Sequence, residues 1–274
     1  KTTKKVAVHF HDINKADDLN VIRDIYACGR TNGVFQFESD GIKKALTGFN
    51  PTSIDDVILM NAAYRPGPMD SIPEITEVKN GTEKPNYIIP QMEQILGKTY
   101  GSAIYQEQIM QLFQLVGFSL GEADVIRRAM SKKHLDEIEA AKDKFVSGMI
   151  EQGGKPADVE KFWIRLLAFA SYAFNKSHAA AYSIVSYYTA FLKYYFPCEY
   201  LSAQLSYTPE KLKLFLSDLK YAGLTLLQPD INSGVPNFAP MPGNNKQIRF
   251  GIKVYKGRFC SSTNHLRFAG YEKI

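Results

Sequence analysis

The chain has 274 residues, is 45% hydrophobic and carries a formal net charge of +5, enough apolar matter for one large domain or one domain with a small appendage. The charge excess is mild, so contact with nucleic acid is open only if the cations cluster. With no apolar run of roughly 18 residues, no signal-peptide pattern, and Cys28, Cys198 and Cys260 scattered without C-x-x-C spacing, a membrane span, a disulfide framework and a zinc site are all argued against, and the cytoplasm is the expected location.

Residues 1–30 mix charge with short apolar pieces and read as a connecting segment, with a short strand at Val6–Phe10 and a helix near Ala16–Tyr26. Thr31–Ser39 sets Val34, Phe35 and Phe37 against a turn at Gly33; a helix from Asp40 to Thr47 should be closed by Gly48. Ser53 with Asp56 has the spacing of a capping box and opens a helix that must stop before Pro66. Arg65-Pro66-Gly67-Pro68 is then a rigid bend bearing one arginine, and residues 73–90, with Asn80-Gly81, Pro85 and Pro90, read as an exposed loop with room for a short helix. From Ile104 to Val116 the stripe Ile109, Leu112, Phe113, Val116 is helical, with Tyr105 in its first turn and Glu107 complementing its dipole. Further helices are expected at Leu135–Glu151, at Pro156–Tyr172 and from Thr208 to Gly223. After residue 224 the period changes: Leu224–Leu227 and the alternation Ile248, Phe250, Ile252, Val254 predict a small β element around a turn at Pro242–Asn245. The fold class is therefore mainly α, with a helical body over 31–223 and a small β-containing segment over 224–274.

Two clusters carry chemistry. Ser119 and Glu122 form a capping box, which places Arg127, Arg128, Lys132 and Lys133 on one helix; Asp124 can pair with Arg128, and no acid occurs from Val125 to Leu135. Such a helix is either a solvated, salt-bridged surface or a phosphate-binding one, because arginine forks with no carboxylate suit phosphate oxygens. In the second cluster Asn175 is an N-cap, so a helix starting at Lys176 presents free N–H groups beside Lys176 and His178, with Tyr182 one turn further on. This is an anion site in outline, or else an Ala-rich core helix with a solvated lysine and a satisfied histidine. Ile184, Val185, Tyr188, Phe191, Leu192 and Tyr195 read as its buried face, and Pro197 ends the run. A two-metal carboxylate site is not indicated: no two aspartates are separated by one residue, and the neighbours Asp17-Asp18 and Asp55-Asp56 diverge in direction.

FNKSHAAAYSIVSYYTAFLKYYFP at Phe174–Pro197 resembles a signature of the alpha subunit of bacterial DNA polymerase III, the C-family replicative polymerase. TNGVFQFES at Thr31–Ser39, YRPGPM at Tyr64–Met69, TYGSAIYQEQIMQ at Thr99–Gln111, GFSLGEADVIRRAMSKK at Gly117–Lys133 and PDINSG at Pro229–Gly234 follow in family order, so the resemblance covers roughly residues 30–235. It implies the fingers region of that enzyme, with residues 1–30 leading in from a palm that holds the catalytic aspartates and their Mg²⁺ outside this chain. It further implies Arg127, Arg128, Asn175, Lys176, His178 and Tyr182 as nucleotide contacts, and Lys132, Lys133, Arg65 and Tyr105 as contacts to DNA. Implied partners are primer–template DNA, a dNTP and other replicase subunits such as the sliding clamp; the fragment alone is expected to be inactive. The rival is a stand-alone helical nucleic-acid-binding or assembly module. Beyond about residue 250 the family pattern is lost.

Overall fold

A computed structural model describes residues 18–132, 134–170, 172–230 and 232–255, apart from the side chains of residues 135, 254 and 255; the strand expected at Val6–Phe10 and Lys133 lie outside the described residues. The protein is mainly helical with one small sheet near its C-terminus, and it divides into two compact units that part between Tyr188 and Thr189.

In the first unit, Asp18 accepts from the Asn20 amide at 2.9 Å and starts α1 (Leu19–Val21), which runs on into wider π-type turns over Ile22–Ala27. Helix α2 (Asp40–Phe49) passes through Gly48, and Asn50 takes the left-handed cap at φ 53° instead. The helix gains Phe49 as a fully buried residue this way, and Asn tolerates the left-handed conformation well enough to replace glycine there. Ser53 accepts from the Asp56 amide at 3.3 Å to open α3 (Ile54–Ala63), which the Arg65–Pro68 bend terminates. Within residues 73–90 the short helix that the sequence leaves room for is α4 (Ile72–Lys79), which buries Ile72 and Ile75; the polar chain after it returns inward at Ile89.

Four helices follow that enclose the main core: α6 (Gln106–Leu115), preceded by the short α5 (Met92–Leu96), then α7 (Leu120–Lys132), α8 (Leu135–Glu151) and α9 (Pro156–Ala170). Phe113 on α6 meets the rings of Phe118, Phe145 and Trp163 at 5.2, 4.9 and 6.2 Å, and Ile126, Met130, Met149 and Leu166 complete the cluster. Each such side chain contributes about 1.5–3 kcal/mol through burial. Arg165 on α9 donates to both oxygens of Glu74 on α4, at 2.7 and 2.8 Å, and ties this bundle to the preceding helices.

Helix α10 (Lys176–Tyr195) corrects the sequence reading of its inner face. Ala179, Ser183, Ser186 and Tyr187 are buried, while Tyr182 and Val185 are 39% and 48% exposed. The reason is polar: the Tyr26 and Ser186 hydroxyls meet at 2.8 Å, and Asn61 donates to Ser183 Oγ at 3.0 Å. Small side chains also let α3 approach the α10 backbone closely enough for Asn61 Nδ2 to reach the Ala179 carbonyl at 3.4 Å.

In the second unit, Pro197 does not merely end α10; it occupies the first turn of α11 (Pro197–Tyr207), whose buried side is Cys198, Leu201, Ser202 and Leu205. After α12 (Leu212–Tyr221), closed by Gly223 at φ 64°, strand β1 (Thr225–Leu227) pairs parallel with β3 (Asn244–Arg249), and β2 (Ala239–Met241) pairs antiparallel to β3, giving the order β1-β3-β2. Past Phe250 the alternation does not continue as strand; Ile252–Tyr255 forms a 3₁₀ turn. Lys193 and Asp218 form a buried ion pair at 2.7 Å in this unit.

Candidate functional site

The starts of α6 and α10 are joined directly. Tyr105 and Phe174 form a parallel backbone bridge: the Gln106 amide donates to the Phe174 carbonyl and the Phe174 amide to the Ile104 carbonyl, both at 3.0 Å. Gln106 Nε2 adds a bond to the Ala173 carbonyl at 3.0 Å. Two helix N-termini, each with donor groups and a partial positive charge, therefore lie side by side. Asn175 is the N-cap of α10, its Oδ1 accepting from the His178 amide at 2.9 Å.

Glu107, which the sequence associates with the dipole of its own helix, turns to the neighbouring one. Its Oε1 accepts from Asn175 Nδ2 and from the Lys176 amide, and Oε2 also accepts from the Lys176 amide, all at 3.1 Å. The N–H groups read as free at this helix start are thus partly taken by an internal carboxylate. In exchange, Lys176 Nζ lies over the Tyr105 ring, 5.5 Å from its centre, and has no carboxylate partner among the described residues. The Tyr105 ring lies inside the protein, 4% exposed, rather than on a surface open to nucleic acid. Burial, and then the negative charges of Asp55, Glu107 and Asp56, push its hydroxyl pKa above the ordinary value.

A column of rings runs from this junction along the exposed side of α10. Phe174 meets His178 edge-on at 5.3 Å, His178 stacks on Tyr182 at 4.2 Å, and Tyr182 stacks on Phe35 at 5.7 Å. Arg65 caps the other end, its guanidinium carbon 3.6 Å from the centre of the Phe174 ring. Among the described residues Arg65 pairs with no carboxylate, and burial lowers its pKa. Sequence reading brings Asn175, Lys176, His178 and Tyr182 together; it misses Phe174, which directly precedes Asn175, and Glu107 and Phe35, which reach the cluster from other segments. Phe174, His178 and Tyr182 carry a local signal in their four-residue spacing; Phe35 has none.

On α7 the capping box forms as expected, the Ser119 amide donating to Glu122 Oε2 at 2.7 Å and the Glu122 amide to Ser119 Oγ at 3.3 Å. The reading of the arginine forks as free is corrected. Arg127 Nε and Nη2 both donate to Asp124 Oδ1, at 3.1 and 3.0 Å, and Arg128 Nη2 sits 2.7 Å from Oδ2. One carboxylate faces two guanidinium groups because positions three and four residues on lie on its own side of the helix. Lys132 is exposed at the helix end, where Ser131 Oγ reaches the Ala170 carbonyl of α9 at 3.4 Å.

The described residues thus define a helical module in which one capped helix concentrates arginine and lysine, and two helix starts converge beside Lys176 and Arg65. Residues 1–153 match the model of the bacterial DNA polymerase III alpha subunit finger domain. The chain is also similar to the DNA polymerase III subunit alpha of Treponema pallidum (44% identical over 261 residues, 94% of this chain and 22% of the relative). Similar proteins of the same name from Xylella fastidiosa (41% over 245 residues, 88% of this chain and 20% of the relative) and Aquifex aeolicus (41% over 234 residues, 84% and 20%) agree. The chain belongs to the finger-domain family of bacterial DNA polymerase III alpha subunits, and it spans about a fifth of the length of these curated relatives. No helix among the described residues is long and apolar enough to cross a membrane.

Proposed function

We propose that this chain serves as the fingers of a bacterial replicative DNA polymerase, receiving the triphosphate of an incoming dNTP on Arg127, Arg128 and the start of α10, and primer–template DNA on Lys132 and Lys133. The observation that carries the reading is α7: in a chain of the finger-domain family, a helix fixed by its own capping box carries Arg127, Arg128 and Lys132 in its second half, where it has no acid. Arginine pairs hold phosphate oxygens bidentately, and lysines supply sequence-independent backbone contacts. Asn175, Lys176, His178 and Tyr182 form the second nucleotide-binding surface in this reading, and Arg65 serves at its edge. The proposed parent enzyme is a DNA-directed DNA polymerase that works with other replicase subunits, the sliding clamp among them.

Nucleotidyl transfer of that kind uses Mg²⁺ held by clustered carboxylates. Among the described residues no group of three or more His, Cys, Asp or Glu side chains is placed to hold a metal ion, so no step is assigned to metal on this chain. We propose that the metal ligands belong to the palm of the longer enzyme.

Binding of fluorescent primed DNA to the 274-residue chain, measured across salt concentrations, tests the DNA surface. Each neutralised phosphate contributes a slope of about −0.9 in log K against log salt, so Lys132→Ala with Lys133→Ala should flatten the slope by about 2 and weaken binding for every sequence alike. An unchanged slope would put the DNA surface elsewhere. Primer extension with Mg²⁺ by the chain alone should give no product; extension would overturn the assignment of the metal ligands to another part of the enzyme.

A further inference from the structure

At the α6–α10 junction two helices of 10 and 20 residues begin beside one another, and Lys176 and Arg65 add two full charges that meet no carboxylate among the described residues. Each helix start contributes roughly half a positive charge. Asp56 and Asp55, whose charges also reach the Tyr105 hydroxyl, are paired with Lys79 at 2.6 Å and Lys98 at 3.0 Å, so against this sum of about three positive charges the carboxylate that bonds the junction itself is that of Glu107, half-buried and bonded to the Asn175 side chain and the Lys176 amide. The junction is therefore under-neutralised with Glu107 in place, and a polyphosphate matches it better than a single carboxylate does.

We infer that Glu107 is an internal counter-ion, occupying the donor groups of the α10 start until a phosphate group of the nucleotide displaces it, and so setting how tightly that nucleotide binds. The inference rests on the proposed reading of Asn175 and Lys176 as nucleotide contacts. Displacement exchanges one acceptor for another: the Lys176 amide and Asn175 Nδ2 donate to phosphate oxygens, and the Glu107 carboxylate turns to water. No covalent bond changes. As a positioning residue Glu107 also keeps the two helix starts in register while no anion is present, because without it the Lys176 amide and two adjacent dipole ends would face each other unscreened.

The role predicts a sign that a purely structural clamp does not. Calorimetric titration of the 274-residue chain with sodium tripolyphosphate, without metal, should show E107Q binding about tenfold tighter than the natural chain, since the competing charge is gone while one acceptor oxygen remains. K176A and R65A should each bind more weakly. If K176A and R65A weaken binding but E107Q binds no tighter, the counter-ion role is overturned and the nucleotide site stands. If none of the three variants changes the affinity, α10 is not a phosphate site and the reading beneath the inference fails with it. Should E107Q fold poorly, the ¹³C carboxyl resonance of Glu107 in the natural chain decides: it should move in step with added tripolyphosphate, and a resonance that stays put while the anion binds overturns the proposal.

Discussion

Asn61 and Ser183, 122 residues apart in the chain, are hydrogen-bonded in the interior at 3.0 Å, and this contact determines which side of α10 faces inward. Asn61 also reaches the Ala179 carbonyl, so α3 reads α10 through its small and polar residues and leaves the His178–Tyr182 column outside. Replacing Asn61 by Ala leaves the Ser183 hydroxyl buried without its donor, at a cost of about 1–2 kcal/mol. Thermal unfolding should show N61A and S183A each lowering Tm by about 2–4 °C, with the double variant losing less than the sum. Strict additivity would mean that the two side chains act independently.

How much of this was legible follows from where the signals lie. Capping boxes, proline stops and the core stripe of α6 are local, and Ser119–Glu122 and Leu112–Phe113 stand as the sequence reading has them. The inner face of α10 is not local. Ile184, Val185 and Tyr188 outweigh Ser183 and Ser186 on any hydrophobicity scale, yet hydroxyl partners on α3 and at Tyr26 reverse the order. For the same reason Glu107 looks like part of its own helix dipole until the Tyr105–Phe174 bridge brings a second helix start beside it. Sequence reading gives no α11 after α10, although Cys198, Leu201, Ser202 and Leu205 carry a helical spacing, because Pro197 reads equally as a stop and as a first-turn residue.

Asp56 makes stability depend on acid. Burial alone would raise its pKa, but hydrogen bonds from Lys79, the Thr52 amide and Tyr100 outweigh it and the carboxyl sits below the ordinary range. A depressed folded-state pKa gives stability that is fully present above the unfolded value near pH 4 and is lost as pH falls through the folded value. Urea unfolding between pH 2 and about 6 should therefore show the natural chain losing stability on the acid side more steeply than D56N. At neutral pH D56N should be less stable by about 3–5 kcal/mol, because Lys79, 2.6 Å from the Asp56 carboxylate and only 8% exposed, is left unpaired. Parallel pH curves for the two proteins would remove Asp56 from the account.

Gly67 is held by two constraints that can be separated. Its φ of 102° is a conformation side chains rarely adopt, and a Cβ would stand 2.4 Å from the Tyr172 ring. Gly67→Ala should cost about 1–3 kcal/mol. Tyr172→Ala in that background should recover the steric part only, since the backbone strain remains. Full recovery in the double variant, read from Tm, would show that the ring contact alone requires glycine.

The triphosphate reading is tested most directly in the full-length polymerase. Arg127 and Arg128 share Asp124 across partly exposed ion pairs, which contribute less than about 1 kcal/mol each, and removing either arginine leaves Asp124 with the other. Arg127→Ala or Arg128→Ala should thus change Tm by no more than a degree or two. If the forks leave Asp124 for phosphate oxygens, each substitution should raise the KM for dNTP by about tenfold or lower kcat to match, as loss of a charge-assisted bidentate contact does. Lys176→Ala should act in the same direction, since its ammonium group has no carboxylate partner among the described residues to release. A fall in Tm with unchanged nucleotide kinetics would make the Asp124 pairs structural, a salt-bridged helix surface and nothing more.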